Sequence, residues 1–376
     1  MNKVAVIGAG KTGRGFLGRL LREADQEILF VDRDLCLVNA LNRAGSFRVH
    51  FFGGRRDPLQ IDHFRACTWE DAVFDEVELI LVSVGGDNLA DVGRSLSKRL
   101  DPGRHYYIIT GENAARPAAT LREAAGAANI SVSESTVFCT TVEGEGLDIR
   151  SEDYPYLQCD AKPLGGYTPD VPQIRPLERF GDFLTRKLYT YNAASCVIAY
   201  LGWVKGYEDY GDAANDPEIL ALLDRNYEAT NRVLCKEFGY AAADQEEFAL
   251  LSRKKFCDRT ITDTVARNAR DPQRKLKPCE RIIGPIRLFY KYGEDASVME
   301  QTAAAAVLYR AAFGAPFTAI QSEKEAEGTL VDICGLSPRE EMFANIMKYI
   351  EKIKSKTLFS TYCGFSSDTS GCKNVY

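Results

Sequence analysis

A short apolar run, Val4–Ile7, leads directly into Gly8-Ala9-Gly10-Lys11-Thr12-Gly13 and then into the helical pattern Thr12–Ala24, and few features constrain a chain more tightly. Gly-x-Gly-x-x-Gly spacing between a strand and a helix has a mechanical reading. The first glycine permits the tight turn, the second lets a pyrophosphate approach the backbone, and the third lets the helix pack on the strand. The N–H groups of the first helical turn then face the phosphates, where the helix dipole favours negative charge. Gly8, Ala9, Gly10, Lys11, Thr12 and Gly13 are therefore expected to cradle a dinucleotide. Asp32 closes the second apolar run, nineteen residues after Gly13, where a carboxylate can accept the ribose hydroxyls of the adenosine half. That charge would repel a 2′-phosphate, so NAD rather than NADP is the expected cofactor, although Arg33 could either lie over the adenine or tolerate a 2′-phosphate. Gly85 and Gly86 follow the run Val77–Val84, where a small residue would let the nicotinamide half pass. An ordinary strand-to-helix turn explains either glycine equally well.

The alternation continues along the first half of the chain. Ile28–Val31 precedes the helical pattern Asp34–Arg43, Val77–Val84 precedes Asn88–Leu100, and Tyr106–Thr110 precedes Ala114–Ala127. Such alternation specifies a parallel sheet with helices on both faces. Ser46–Phe52 and Leu59–His63 flank the turn Gly53-Gly54-Arg55-Arg56-Asp57-Pro58, which reads as an inserted hairpin. Ser131–Val142 reads as a further strand, and Glu143–Pro176 as an irregular, proline-containing close to the domain. Beyond Glu178 the strand signal fades. Asp216-Pro217 has the form of a helix start and Gly239 of its stop, while Ser337-Pro338-Arg339-Glu340 has the form of a capping box before an amphipathic stretch to about Lys356. The expected architecture is α/β: a Rossmann-type doubly wound sheet with an inserted hairpin over residues 1–180, followed by an all-α domain over residues 181–376. The last twenty or so residues fit either a terminal strand or a loose tail.

Composition narrows the partners. At 376 residues the chain exceeds the ~250–300 at which single cores stop growing, which suits two domains. A formal net charge of −6 disfavours phosphodiester backbones and anionic lipid, so neither nucleic acid nor a membrane is an expected partner. The eleven cysteines show no Cys-x-x-Cys spacing and are odd in number, which points to a reducing, cytoplasmic compartment rather than a disulfide framework. No signal-peptide pattern opens the chain. His50, His63 and His105 are too dispersed to suggest zinc, so no metal is expected.

A dinucleotide site needs a partner group set that removes an alcohol proton and stabilises charge on the oxygen. Arg186-Lys187-Leu188-Tyr189-Thr190-Tyr191-Asn192-Ala193-Ala194-Ser195, at the opening of the helical half, is the segment that stands out. Here the sequence resembles the polyol-specific long-chain dehydrogenases, the mannitol dehydrogenase family. The resemblance rests on Gly8-Ala9-Gly10, Gly13-Arg14-Gly15-Phe16, Val49-His50, Gly111-Glu112-Asn113, Arg186-Lys187-Leu188 with Asn192, Ala199-Tyr200-Leu201-Gly202, Arg274-Lys275-Leu276 and Arg281-Ile282-Ile283-Gly284-Pro285. It implies that Lys187 is the general base and that the amides of Asn113 and Asn192 hold the reacting oxygen. The family's signature places a histidine where this chain has Ser195. On a regular helix at ~100° per residue, Lys187, Ser195 and Asn192 fall at about 0°, 80° and 140°, and Tyr191 at about 40° could supply the missing hydrogen bond.

The resemblance also places Arg274, Lys275, Lys277 and Arg281 near the mouth of the substrate site, where Arg274, Lys275 and Arg281 would hold a sugar phosphate. A solvated charge run is the plain alternative. The family reduces open-chain keto sugars, phosphorylated or not, so a polyol or polyol phosphate is the expected small-molecule substrate of a monomer or small homo-oligomer. The rival expectation is a sensor or scaffold that binds NAD and has lost chemistry with the histidine.

Overall fold

The computed structural model describes residues 3–54, 56–114, 116–126, 129–312 and 323–359, and the chain divides into two compact units, Met1–Gly181 and Asp182–Tyr376. Among the described residues of the first unit twelve strands form: β1 (Lys3–Ile7), β2 (Glu27–Val31), β3 (Phe47–Phe51), β4 (Leu59–Ile61), β5 (Phe64–Cys67), β6 (Val77–Val82), β7 (Tyr106–Thr110), β8 (Ile130–Thr136), β9 (Thr141–Glu143), β10 (Ile149–Ser151), β11 (Leu157–Asp160) and β12 (Ile174–Leu177). Eight of them make one sheet in the order β12-β11-β8-β7-β6-β1-β2-β5. From β5 through β8 every neighbouring pair is parallel, whereas β11 runs antiparallel to β8. The run Val4-Ala5-Val6-Ile7 shows why both faces need cover: Val4 and Val6 enter one core, Ala5 and Ile7 the other. α1 (Gly18–Glu23), α2 (Leu35–Ala44), α3 (Leu89–Ser97) and α4 (Pro117–Ala125) belong to the same unit. After β1 the chain builds outward through β2 and β5, then returns to β6 on β1's other side. This reversal makes β1 and β6 the switch point of the sheet, beside whose carboxyl ends a ligand crevice forms.

The expected hairpin is present as β3 and β4, with Phe47 opposite Ile61. It is half of a second sheet, β4-β3-β10-β9, which the sequence reading did not foresee. The single strand expected over Ser131–Val142 is broken: β8 stops at Thr136 and β9 begins at Thr141 in the other sheet. Glu143–Pro176, read as irregular, carries β10, β11 and most of β12. Strands of three and four residues are too short to show a period of two, and β10 takes one of its partners, β3, from about 100 residues back along the chain.

The second unit is helical among its described residues, with one isolated bridge, Asp209 to Thr264. Its helices are α5 (Phe180–Lys187, begun at the end of the first unit), α6 (Ala193–Lys205), α7 (Tyr210–Ala214), α8 (Pro217–Phe238), α9 (Ala242–Phe256), α10 (Val265–Ala269), α11 (Pro272–Lys275), α12 (Ile283–Tyr292), α13 (Ser297–Ala311), α14 (Glu323–Asp332) and α15 (Glu341–Lys354). Asp216 caps α8 by accepting from the N–H groups of Glu218 and Ile219, and Gly239 ends it at φ 72°. The capping box forms only in part. Glu340 accepts from the Ser337 N–H at 2.7 Å, but the Ser337 hydroxyl accepts from Arg339, and α15 starts one residue past the glutamate. α6 is apolar around most of its circumference, so it is buried at the centre of this unit's core. The final seventeen residues of the sequence lie outside the described residues.

Candidate active site

In the first unit, the turn after β1 requires two of its three glycines sterically. Gly8 has φ +96°, and a Cβ there would sit 2.1 Å from the Ser83 carbonyl oxygen; one on Gly13 would sit 1.9 Å from the Gly8 oxygen. Gly10 differs: it is exposed, and a Cβ would meet nothing within 4 Å. Its backbone therefore faces open space, the condition for close approach by a ligand. The peptides flanking Ala9 are gripped on both sides, since the Asp32 carboxylate accepts from the Ala9 N–H at 2.7 Å and the buried Arg14 donates to the Ala9 oxygen at 2.7 Å. The second Asp32 oxygen accepts from the Asp34 N–H at 2.9 Å. Lys11 is exposed beside the turn, Thr12 Oγ1 lies 3.4 Å from Thr141 Oγ1, and Arg33 reaches Asn88 Oδ1 at 3.5 Å.

The loop after β6 lies against this turn, because Ser83 is the residue Gly8 touches. Gly85 adopts φ +84°. One oxygen of Glu112 accepts from the N–H groups of Val84 and Gly85, at 2.6 and 2.7 Å, while burial pushes its carboxyl upward. Asn113 follows, with its amide donating to the Val137 oxygen at 3.1 Å and accepting from the Val137 N–H at 3.3 Å. The two hydrogen bonds to the main chain of one residue fix the plane of the amide. Glu112, which sequence reasoning passed over, is the brace between the β6 and β7 loops.

In the second unit, the segment after α5 is not a regular helix. Leu188–Asn192 forms a π turn before α6 begins at Ala193. One extra residue per turn rotates everything beyond it by about 100°. Ser195 thereby moves from about 80° to about −20° of Lys187's direction and Asn192 to about 40°, so the three share a narrower arc than a regular helix gives. Gln245, fully buried, holds the turn: it accepts from Arg186 Nε at 2.7 Å and donates to Thr190 Oγ1 at 3.2 Å and Asn231 Oδ1 at 3.0 Å. Lys187 keeps part of its side-chain surface accessible, but its amine is closely enclosed. Burial first, then the charges of Lys255 and Arg281, push that amine down from 10.5 to about 7.

The structure corrects two expectations here. Tyr191 does not support Ser195; it is core, with its ring 5.0 Å from Phe248 and 6.2 Å from Phe256. Tyr210, 3.3 Å away, and Asn268, 3.4 Å away, meet the serine hydroxyl instead. Nor do the basic residues form one solvated patch. Arg274 is exposed and paired with Asp271 at 2.6 Å, and Lys277 is exposed, but Lys275 is buried, its ammonium donating to the Asn268 carbonyl and lying 5.7 Å from the Tyr200 ring centre. Arg281 is half-buried, pairs with Glu280 at 3.0 Å, and acts on the charges of both Lys187 and Lys275. Lys255, Tyr210, Asn268 and Gln245 went unread because each meets its partner 15 or more residues away along the chain.

A switch-point glycine turn on a doubly wound sheet, with a helical unit that opens on a lysine of lowered pKa, defines a class. Residues 180–321 match the mannitol dehydrogenase C-terminal domain and residues 4–150 the ketopantoate reductase PanE/ApbA model. The chain is a relative of the mannitol dehydrogenase family. More particularly, it is similar to the mannitol-1-phosphate 5-dehydrogenase of Paenarthrobacter aurescens, 28% identical over 93% of this chain and 98% of that protein. The Neurospora crassa enzyme of the same name is 25% identical over 94% and 97%. Among solved structures, the Pseudomonas fluorescens mannitol 2-dehydrogenase ternary complex with NAD and D-mannitol covers 95% of this chain and 92% of its own, with TM-score 0.66 and 15% identity. A substrate-free D-sorbitol dehydrogenase reaches TM-score 0.76 at 14% identity, covering 94% and 93%. At such identities these two structures speak to the fold. No helix among the described residues is long and apolar enough to cross a membrane.

Proposed function

We propose that this chain is an NAD-dependent dehydrogenase acting on a secondary alcohol of a polyol or polyol phosphate, with mannitol 1-phosphate and fructose 6-phosphate as the first pair to test. The names of its relatives support the substrate class. The single observation that carries the reading is the Lys187 amine at about 7, on the arc it shares with Asn192. The residues fit the cofactor: Gly10 leaves its backbone open, and the Ala9 N–H and Asp32 carboxylate stand beside it. Gly8–Gly13 would hold the pyrophosphate, Asp32 the ribose, and Arg33 and Gly85 the flanks. NAD, when bound, supplies the acceptor for hydride.

The chain's own residues do the rest. Neutral Lys187 accepts the alcohol proton at Nζ, and the enclosing cations Lys255 and Arg281 keep the resulting ammonium acidic enough to release it near neutral pH. The amide of Asn192 on Lys187's arc would donate to the oxygen on which negative charge develops, the family resemblance gives the amide of Asn113 the same role, and removing one such donor costs about 2.7–4 kcal/mol. Of the three basic residues assigned to a substrate phosphate, Arg281 suits the role best and Lys275 next. Arg274 is exposed and, unlike Arg281, does not figure among the charges acting on Lys187.

The test is oxidation of NADH across a panel of keto sugars and their phosphates, with binding of NADH measured in parallel. Turnover that disappears in Lys187→Ala while NADH still binds supports the proposal. Tight NADH binding with no turnover of any panel member transfers the chain to the second reading, a cofactor-binding sensor, which the serine at position 195 motivates.

A further inference from the structure

The hydrogen bonds around Ser195 have a fixed polarity. Asn268 donates through Nδ2 to the Thr264 carbonyl oxygen at 3.1 Å, and a carbonyl can only accept. That contact decides which end of the amide is which, so Oδ1 faces Ser195. An amide oxygen also only accepts, and the Ser195 hydroxyl must therefore give its one proton to Asn268, 3.4 Å away. The OH of the buried Tyr210, 3.3 Å away, then has only a lone pair to point at and donates to Ser195. Lys275 stiffens the acceptor end by donating to the Asn268 main-chain oxygen.

A serine hydroxyl offers one proton and two lone pairs. Here the proton and one lone pair are committed, which leaves one acceptor position on a side chain that keeps accessible surface on the Lys187 and Asn192 arc. We infer that Ser195 reads a hydroxyl of the substrate by accepting from it, and so is a specificity-determining residue for a hydroxylated carbon chain. This rests on the dehydrogenase reading above and refines it. An outward lone pair repels a carbonyl oxygen, an alkoxide or a phosphate oxygen, so Ser195 stands against none of these. The histidine's replacement is thus a change in what is recognised beside the reacting carbon, with Tyr210 and Asn268 as positioning residues that act through the serine.

The experiment measures steady-state constants for Ser195→Ala, Tyr210→Phe and Asn268→Leu with the best ketose from the panel and with deoxy analogues lacking one hydroxyl each. Ser195→Ala is expected to raise KM for the parent about three- to tenfold, the worth of one hydrogen bond, with the loss falling on KM rather than kcat. For one deoxy analogue, the one lacking the hydroxyl that Ser195 meets, wild type and Ser195→Ala should share the same KM. Tyr210→Phe and Asn268→Leu should follow in the same direction, and thermal melting separates this from misfolding. A loss confined to kcat, a shifted pH profile in Ser195→Ala, or equal losses on every analogue overturns the inference while leaving the dehydrogenase standing. Absence of turnover and of polyol binding in the wild-type protein overturns both, and is recognised by intact NADH binding.

Discussion

Replacing Lys187 by methionine removes an amine that the folded chain holds at about 7, against 10.5 for an ordinary lysine, and keeps a flexible side chain of similar length. Because the folded value is depressed, the unfolded chain binds the extra proton between about pH 7 and 10.5. Wild-type stability should therefore rise with pH through that window, and below it the full cost of burying the charged form applies. At about 1.36 kcal/mol for each tenfold change in proton affinity, the upper limit of that cost is roughly 4 kcal/mol at pH 7, falling to about 2 kcal/mol at pH 9. The methionine variant carries none of it. In the cofactor-free protein, Lys187→Met should melt above wild type at pH 7, and the gap should narrow by about 5–10 °C by pH 9, using the ~2–4 °C per kcal/mol of a unit this size. Differential scanning calorimetry at several pH values makes the measurement, and the same preparations should show no turnover. A melting difference that stays constant from pH 6.5 to 9 would refute the claim that burial and neighbouring cations depress this amine. With it would go the expectation that alcohol oxidation by wild type rises as pH passes through about 7.

The glycine turn separates a folding role from a binding role. Gly13→Ala, whose Cβ would lie 1.9 Å from the Gly8 oxygen, should lower the melting temperature of the first unit, whereas Gly10→Ala should fold normally and lose NADH affinity tenfold or more by titration. Asp32→Ala should weaken NAD more than NADP; equal losses would leave only its grip on the Ala9 and Asp34 N–H groups as its role. Gln245→Leu removes the partner of Arg186 Nε and of the Thr190 and Asn231 side chains, although Arg186 keeps Asp244, and should cost about 1–3 kcal/mol of stability by denaturant titration and lower kcat through the displaced π turn. Wild-type stability in that variant would mean that the turn does not depend on this amide.

Signals that act within a few residues were legible in the sequence. The turn Gly8–Gly13, the caps at Asp216 and Gly239, the alternation of strands and helices and the hairpin at Phe47–Ile61 all follow from steric limits and periodicities confined to neighbouring positions. Lys187 and Asn192 were singled out by the resemblance to the mannitol dehydrogenase family, not by a local rule. What needed the tertiary structure is everything whose partner lies far along the chain. The short strands β10, β11 and β12 are fixed by pairing with β3, β8 and one another, and β9 is added at the edge through β10. The π turn is held by Gln245 from another helix, and Ser195 takes its polarity from Tyr210 and Asn268 rather than from Tyr191. The pKa of Lys187 is likewise set by enclosure and by Lys255 and Arg281. A sequence names which side chain carries a charge or a proton, whereas the low-dielectric surroundings and the direction of each hydrogen bond, which decide what that group can do, arise only when the chain closes on itself.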